Sequence, residues 1–177
     1  MFLVSWFSAS VFAASLAGLD FSETVTVQQE TLVLNGLGLR EKYWIDIYVA
    51  GLYVPEKTSD PQTIMSPNTA KRIHSKFIYS SVPKEKMIET LEENILRNPG
   101  ISENTKSKIY QCGKWMEDFS TGDEIFFDYV PGKGTTFVVK GQKKGTIEGV
   151  EFMQAIFSMY VGKSPATEAL KTGLLGL

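Results

Sequence analysis

The sequence predicts an α+β domain in which an antiparallel sheet is covered on one face by helices. Strand-like segments fill the first part of the chain, two helical segments follow, three short strands come next, and two further helices end it. Strands and helices in separate runs are typical of α+β folds, whereas α/β folds alternate them. The 177 residues are 43% hydrophobic and 12% aromatic, which suits a single core.

The early strands are predicted from runs of β-branched, aromatic and aliphatic residues. They are expected at residues 25–27, 32–34, 43–54 and 71–79. Between the second and third of these, Gly36 and Gly38 predict a kink or a close approach of two backbones. The Pro-, Ser- and Thr-rich residues 55–68 are expected to connect strands, with one helical turn around residues 62–65.

The middle of the chain shows helical periodicity twice. The first helix is expected to begin at Pro83 and to end at the Asn98-Pro99-Gly100 sequence. Ser102 is predicted to cap the second helix, which places four apolar residues at helical spacing: Ile109, Cys112, Met116 and Phe119. We therefore expect a helical hairpin.

The last third of the chain predicts a β meander followed by two helices. Strands are expected at residues 124–130, 135–140 and 144–148, joined by turns that contain glycine. Residues 152–161 are apolar on nearly every side, which indicates a buried helix that Gly162 ends. The Ser164-Pro165 pair is predicted to cap the final helix.

The N-terminal residues 1–17 are predicted to be a secretory signal peptide, followed by one domain at 18–177. Residues 2–17 are apolar with interspersed serines, and cleavage after Ala17 or after Ala13 satisfies the small-residue rule. A membrane anchor is the alternative, but the strongly apolar part is shorter than the ~18 residues of a spanning helix. We expect an exported, periplasmic protein with no integral membrane span after processing.

The charge and the rarest residue types exclude several function classes. The formal net charge is −2 with both signs interspersed, so the chain lacks the basic face that nucleic-acid binding requires. Cys112 is the single cysteine and His74 the single histidine, and they lie in unrelated predicted elements. An intrachain disulfide and a multi-cysteine metal site are therefore excluded, and the sequence shows no other constellation of metal ligands. We expect no cofactor, no metal and a monomer.

Arg40 is the candidate for binding an oxyanion. It ends a glycine-spaced stretch, residues 36–40, and the strand after it ends in Tyr-Val-Ala-Gly-Leu-Tyr. The planar guanidinium fork suits a carboxylate, a phenolate or a phosphate. On the residues alone, a turn or surface role and an ion pair with Asp46 stay open for Arg40.

A series of sequence blocks resembles the chalcone isomerase-like family, most closely its bacterial exported members. The blocks are Gly-x-Gly-x-Arg before that strand, Ser-Val-Pro-Lys-Glu-Lys-Met at 81–87 in a helix with an Asn, and Glu-Phe-x-x-Ala-Ile-Phe at 151–157 before Gly-x-Ser-Pro. They occur in family order over residues 31–175. The resemblance implies an open-faced β-sandwich, with a large antiparallel sheet, a layer of helices and a ligand cleft between them.

The resemblance also implies how well the chemistry of the plant isomerases is retained. Those enzymes cyclise a chalcone by adding a phenolate oxygen to an enone, with an Arg, an Asn and several hydroxyl donors around the substrate. The Arg falls on Arg40 and the Asn on Asn94, whereas the hydroxyl positions fall on Tyr48, Met87 and Met159. Because each lost donor can cost on the order of a hundredfold in rate, efficient cyclisation is not expected.

Fatty-acid-binding relatives keep the Arg and pair it with a Tyr. The resemblance therefore implies that Arg40 and Tyr48 hold a carboxylate in a pocket with a further set of ligand-binding residues: Met87, Leu91, Asn94, Ile156, Met159 and Tyr160. A protein that binds a fatty acid or a similar small amphipathic anion is favoured. An intramolecular lyase of chalcone isomerase type, with Arg40 and Asn94 catalytic, and an interaction module without a ligand remain open.

Overall fold

The computed structural model describes residues 13–97 and 100–177, and for residues 94–96 it describes the backbone alone. Within these residues lie nine strands: β1 Ala13–Leu16, β2 Leu19–Ser22, β3 Thr24–Val27, β4 Glu30–Lys42, β5 Ile45–Val54, β6 Lys71–Phe77, β7 Glu124–Val130, β8 Gly134–Val139 and β9 Gln142–Ile147. The helices in the same residues are α1 Pro61–Met65, α2 Lys84–Arg97, α3 Glu103–Gly113, α4 Val150–Val161 and α5 Glu168–Leu174.

The main sheet has seven strands, and their order in space is their order in the chain, from β3 to β9. Every neighbouring pair is antiparallel. Helix α1 lies between β5 and β6, while α2 and α3 lie between β6 and β7. Strands β1 and β2 form a separate hairpin. The predicted α+β class, with a large antiparallel sheet and a layer of helices, is confirmed.

The two faces of the sheet bury two separate apolar clusters because side chains alternate along each strand. On β5, Ala50 and Leu52 belong to the large cluster under the helices, whereas Val49 and Tyr53 belong to a smaller cluster on the other face. The smaller cluster also includes Phe21 of the β1–β2 hairpin. Both faces are therefore covered, one by helices and the other by the short hairpin.

Helix α4 is the centre of the helical layer. Phe152, Met153, Ile156 and Phe157 are all buried, as the apolar sequence predicts for a helix inside the domain. Gly162 follows its last turn and donates its N–H to the carbonyl of Ser158 at 3.0 Å. The predicted buried helix and its end are confirmed.

The predicted close approach at Gly36 and Gly38 is confirmed, and the local irregularity of the strand is a register shift between Leu34 and Gly36. Strand β4 passes through both glycines without ending. A Cβ on Gly36 would lie 2.2 Å from the carbonyl oxygen of Gly173, and one on Gly38 would lie 2.2 Å from that of Leu170. The glycines allow α5 to pack directly against the backbone of β4.

Two helix boundaries also differ from the predictions. Helix α3 ends at Gly113, so Met116 and Phe119 follow it in an irregular segment, where Phe119 forms an isolated bridge with Val82. Thr167, rather than the Ser164-Pro165 pair, precedes α5 and caps it. The reason is that Ala166 donates its N–H to the carbonyl of Met159, which keeps this segment against the end of α4.

The predicted signal peptide lies mostly outside the described residues, since these begin at Ala13. Strand β1 pairs with β2 through a turn at Ala17 and Gly18, which both have positive φ. Cleavage after Ala17 would remove β1, and cleavage after Ala13 would leave most of it. Over the described part of the chain, none of the helices combines the length and the apolar character needed to cross a bilayer.

Candidate functional site

A β-bulge at Asn35 decides which way Arg40 points. Before the bulge, Leu34 faces the smaller cluster, and the register shift between Leu34 and Gly36 turns the following residues over. Asn35 is buried and fixed at both ends of its amide. Its Nδ2 donates to the carbonyls of Leu174 at 2.7 Å and Thr58 at 3.0 Å, and its Oδ1 accepts from the Thr58 N–H at 2.7 Å. Arg40 consequently lies on the helix-covered face.

Arg40 and Tyr48 are directly opposite each other on β4 and β5. Directly opposed residues on antiparallel strands share a face, with Cβ atoms ~5 Å apart. A second irregularity follows, because Glu41 pairs with Asp46 and leaves Ile47 as an extra residue on β5. The predicted neighbours Arg40 and Tyr48 are thus brought together, with Tyr48 buried and Arg40 half-buried.

Arg40 and Tyr48 line a cavity of about 370 Å³ between the sheet and helices α2 and α4. Seven of the eight residues predicted for the ligand site line it: Arg40, Tyr48, Met87, Leu91, Ile156, Met159 and Tyr160. The eighth, Asn94, lies on α2, and its side chain is outside the described part of the structure. The cavity is mostly apolar, and its size falls near the low end of small-molecule sites.

The charged side chains described in the cavity lining are all basic: Arg40, Lys42 and Lys86. Lys86 is neutralised by Glu89, whose carboxylate lies 2.8 Å from Nζ. Arg40 donates from Nη1 to its neighbour's carbonyl, Glu41 O, at 3.0 Å, and it forms no ion pair with any carboxylate in the described residues. The ion pair with Asp46 that the sequence left open is therefore not formed, and the guanidinium charge is uncompensated.

The phenol of Tyr48 lies beside the guanidinium, and the phenol of Tyr160 lies beside Tyr48. Burial raises the pKa of Tyr48 to about 12, although the positive charge of Arg40 and a hydrogen-bonding interaction with Tyr160 oppose the rise. Burial and the neighbouring Tyr48 raise the pKa of Tyr160 well above its ordinary value. Both phenols therefore keep their protons at neutral pH and can donate hydrogen bonds to an oxyanion, but neither is suited to act as a base.

Ser75 on β6 is a polar residue that the sequence analysis missed. Within the part of the chain that the structure describes, its buried Oγ has no partner at hydrogen-bond geometry, although it is close enough to Tyr160 to lower the pKa of that phenol. Ser75 lies between Ile73 and Phe77 on the helix-covered side of β6. A serine alternating with apolar residues on one strand face was the available signal.

The rim and part of the wall of the cavity were also missed. These residues are Lys42, Tyr43, Ile47, Tyr79, Ser81, Val82, Pro83, Lys86, Thr90, Met116 and Phe127. Met116 and Phe127 are apolar residues whose place at a cavity depends on packing between distant segments. Ile47 lines the cavity beside Tyr48 only because of the second bulge, which the alternation of the sequence does not indicate.

The β4–β5 hairpin projects its turn beyond the mouth of this cavity. Lys42 pairs with Ile45, so the turn consists of Tyr43 and Trp44, with φ of 54° and 62°. Positive φ at both positions is the pattern of a type I′ turn, which strongly prefers Asn-Gly. Each non-glycine residue in this region costs ~1–2 kcal/mol, so two aromatic residues here are held at a cost to stability.

Comparison with known proteins shows which solved structures and which sequence family resemble this chain. The solved structure of a fatty-acid binding protein from Arabidopsis thaliana is similar, with a TM-score of 0.75, and the match covers 93% of this chain and 96% of that one at 16% identity. At this identity the likeness shows a shared fold. No curated protein sequence matches the chain. The family model described as chalcone isomerase-like matches residues 13–176. Because that match spans nearly the whole sequence, the chain belongs to the chalcone isomerase-like family.

Proposed function

We propose that this protein binds a fatty acid or a similar small amphipathic anion in its cavity, as a monomer and without efficient turnover. The observation that carries the proposal is the Arg40–Tyr48 pair, an uncompensated cation and a protonated phenol side by side in an otherwise apolar cavity. The Arabidopsis protein of the same fold is named a fatty-acid binding protein, which supports this class of ligand.

The head group is assigned to Arg40 and Tyr48. A guanidinium offers parallel N–H donors that fit both oxygens of a carboxylate, and charge-assisted hydrogen bonds of this kind are about twice as strong as neutral ones. The Tyr48 hydroxyl adds a donor from the neighbouring strand. The lining has no described carboxylate to repel or replace the ligand's head group.

The tail is assigned to the apolar wall between α2 and α4. Met87 and Met159 are half-buried and line the cavity with Leu91 and Ile156. Unbranched thioether side chains adapt to chains of different shape. The volume of about 370 Å³ favours a single chain over a two-chain lipid.

Extraction of the natural ligand tests this function without a guess about its identity. We expect denaturing mass spectrometry of the purified protein to release a single-chain acid. Tyr48→Phe should weaken its binding by roughly tenfold to a hundredfold, because a hydrogen bond to a charged group contributes about 1.5–3 kcal/mol. Tyr110→Phe, at an exposed tyrosine on α3, is the matched control. An empty protein that also binds no fatty acid in titrations would refute the proposal.

An intramolecular lyase of chalcone isomerase type is the second candidate, with Arg40 and Asn94 from the catalytic set. The observation in its favour is that two un-ionised phenols, Tyr48 and Tyr160, accompany Arg40 and could stabilise an enolate oxygen. Turnover of naringenin chalcone above its spontaneous rate, abolished by Arg40→Ala, would establish this activity. Equal rates with and without the protein would eliminate it.

We also propose that the protein is exported to the periplasm by cleavage of its apolar N-terminal segment. The supporting observation is the composition of residues 2–17. Cell fractionation and N-terminal sequencing of the mature protein test this proposal. A cytoplasmic product that still begins at Met1 would contradict it.

A further inference from the structure

The most exposed aromatic residues of the described chain form one tip beside the cavity. Trp44 is 91% exposed and Tyr43 is 78% exposed, while Ile45 on the same hairpin and Tyr79 next to it are also exposed. Tyr43 and Tyr79 line the same cavity. Large apolar side chains rarely cluster in water without a partner, so this tip is a candidate docking surface.

The two sides of the hairpin differ in charge. Lys42 and Ile45 form a cross-strand pair on the same face of the hairpin as Arg40. The neighbouring pair, Glu41 and Asp46, lies on the opposite face. The basic side is the one that lines the cavity, through Arg40 and Lys42. The cavity mouth is thus bordered by a tip that is aromatic at its end and basic on its inner side.

We propose that this tip, residues 42–45 with Tyr79, docks on an anionic lipid surface and brings the cavity mouth against it. Trp and Tyr are enriched at membrane interfaces because their rings have both apolar and hydrogen-bonding parts. The exposed Lys42 complements anionic head groups, which attract basic residues close to the surface. A narrow two-residue turn can enter the head-group layer, whereas a protein partner would need a matching pocket.

The strain of the turn supports a role for its side chains. Asn-Gly would form the same turn without strain, yet both positions carry bulky aromatic residues at positive φ. Strained residues of this kind cluster at functional sites. Together with the proposed function, on which this step rests, docking gives an amphipathic anion a path from the lipid to Arg40 that avoids water.

A single-tryptophan protein tests the docking directly. Phenylalanine at positions 6 and 115 leaves Trp44 as the one tryptophan of the chain. We expect its emission to shift to shorter wavelength when vesicles of phosphatidylcholine and phosphatidylglycerol in equal amounts are added. Brominated lipids should quench it. Emission that stays at the position of a water-exposed tryptophan would overturn the proposal.

Vesicle sedimentation of matched variants completes the test. Trp44→Gly supplies the residue that the turn prefers, so the variant should fold at least as well as the original. It should sediment roughly tenfold less, because burial of one large apolar side chain contributes at least that factor. Lys42→Glu should lower binding about fivefold or more, with a smaller effect in high salt. The controls are Tyr110→Ala on α3 and Lys143→Glu on the β8–β9 hairpin, which should sediment unchanged.

Titration with decanoate in the absence of vesicles separates this proposal from the proposed function. If decanoate binds and Trp44 does not enter lipid, the docking proposal fails alone. If Trp44 enters lipid and decanoate does not bind, the docking surface stands and the ligand assignment fails. Equal sedimentation of Trp44→Gly and the original protein, or self-association through the tip in solution, would also overturn docking.

Discussion

On the face of the sheet that turns away from the helices, Arg72 binds Asp128 through two hydrogen bonds of 2.5 and 2.7 Å. On the helix-covered face, Arg40 meets no described carboxylate and borders a cavity. The two arginines lie on the same sheet and are both partly buried. Their difference indicates that the charge of Arg72 serves the fold, whereas the charge of Arg40 is available to a ligand.

The neighbours of each arginine extend this contrast. Near Arg72, the Lys76 ammonium lies 3.5 Å from one oxygen of Glu124, so opposite charges meet within the protein, and the neutral His74 ring lies 3.2 Å from the other oxygen. On the other face, the neutral phenol of Tyr48 lies beside Arg40, Tyr160 lies beside Tyr48, and the described cavity lining contains no carboxylate. The charges on the outer face are thus paired within the protein, whereas the charge of Arg40 has no carboxylate partner among the described residues.

Exchange of the two arginines for alanine should separate binding from stability. Arg40→Ala should weaken fatty-acid affinity by about 2–5 kcal/mol, the cost of truncating one partner of a buried charge pair, and leave the free energy of unfolding nearly unchanged. Arg72→Ala should lower the unfolding free energy, since Asp128 would remain half-buried without its partner, and leave affinity nearly unchanged.

Calorimetric titration of both variants measures the ligand affinity, and chemical denaturation measures the free energy of unfolding. Arg97→Ala is the control, because Arg97 forms a helical ion pair with Glu93 at the surface and contributes little. If Arg72→Ala were the variant that lost affinity, the contrast between the two faces would be wrong.

Asn35→Ala should show how much the orientation of Arg40 depends on the bulge. The substitution removes three hydrogen bonds and leaves buried backbone groups unpaired, so we expect a loss of about 2–4 kcal/mol in unfolding free energy. The exposed Asn68 provides the control, with an expected change within about 0.5 kcal/mol. Urea denaturation checks both. A neutral effect of Asn35→Ala would show that the bulge forms without its side chain.

The stability of the outer face should depend on pH through His74. Burial lowers the pKa of His74 to about 4 from its ordinary 6.5, against the opposing charge of Glu124. The unfolded chain therefore takes up this proton first, and stability that is present above pH 6.5 is lost as the pH falls toward 4. The loss should reach about 3 kcal/mol at most, since one pKa unit corresponds to about 1.4 kcal/mol.

Denaturation of the wild-type protein and His74→Gln across this pH range measures the dependence. The variant should show the flatter profile of the two. Fatty-acid binding to the folded protein should change little over the same range above the pKa of the acid, because His74 faces away from the cavity. Identical pH profiles for the two proteins would show that His74 does not titrate in this way.

Lengthening the acyl chain by one methylene should change the affinity less than Arg40→Ala does. This change should depend on the cavity alone. Each added methylene buried against Leu91 or Ile156 should improve affinity by about 0.8 kcal/mol, roughly fourfold. The gain in affinity should stop at the chain length that fills the cavity. Arg72→Ala should not change that limiting chain length. Affinities that do not change with chain length would place the tail outside the cavity.

Much of the fold follows from local patterns in the sequence. The meander, the helical hairpin capped by Ser102 and the buried helix α4 depend on periodicity and capping, which neighbouring residues determine. The close approach at Gly36 and Gly38 was also indicated by residue type. The predicted helix boundaries were wrong where a backbone contact with another element determines the boundary. An example is the hydrogen bond from Ala166 to Met159 before α5.

The residues expected at the site mostly line one cavity, but the sequence did not indicate the geometry that brings them together. The family resemblance implied that Arg40 and Tyr48 act together, and the structure pairs them directly. The orientation of Arg40 depends on the bulge at Asn35, whose partner Leu174 is 139 residues further along the chain. The exposed tip at Tyr43 and Trp44 results from the turn position, which the sequence analysis placed inside a strand. Long-range hydrogen bonds and register are what a single sequence does not show.

The most direct test of the contrast between the two arginines is the ionisation of the bound head group. Nuclear magnetic resonance of a fatty acid labelled at its carboxyl carbon reports the pKa of that carboxyl in the complex. The bound carboxyl should have a pKa below its value in water, because Arg40 and Tyr48 stabilise the anion. The pKa should rise in Arg40→Ala and stay unchanged in Arg72→Ala. A bound carboxyl that titrates identically in all three proteins would contradict the account.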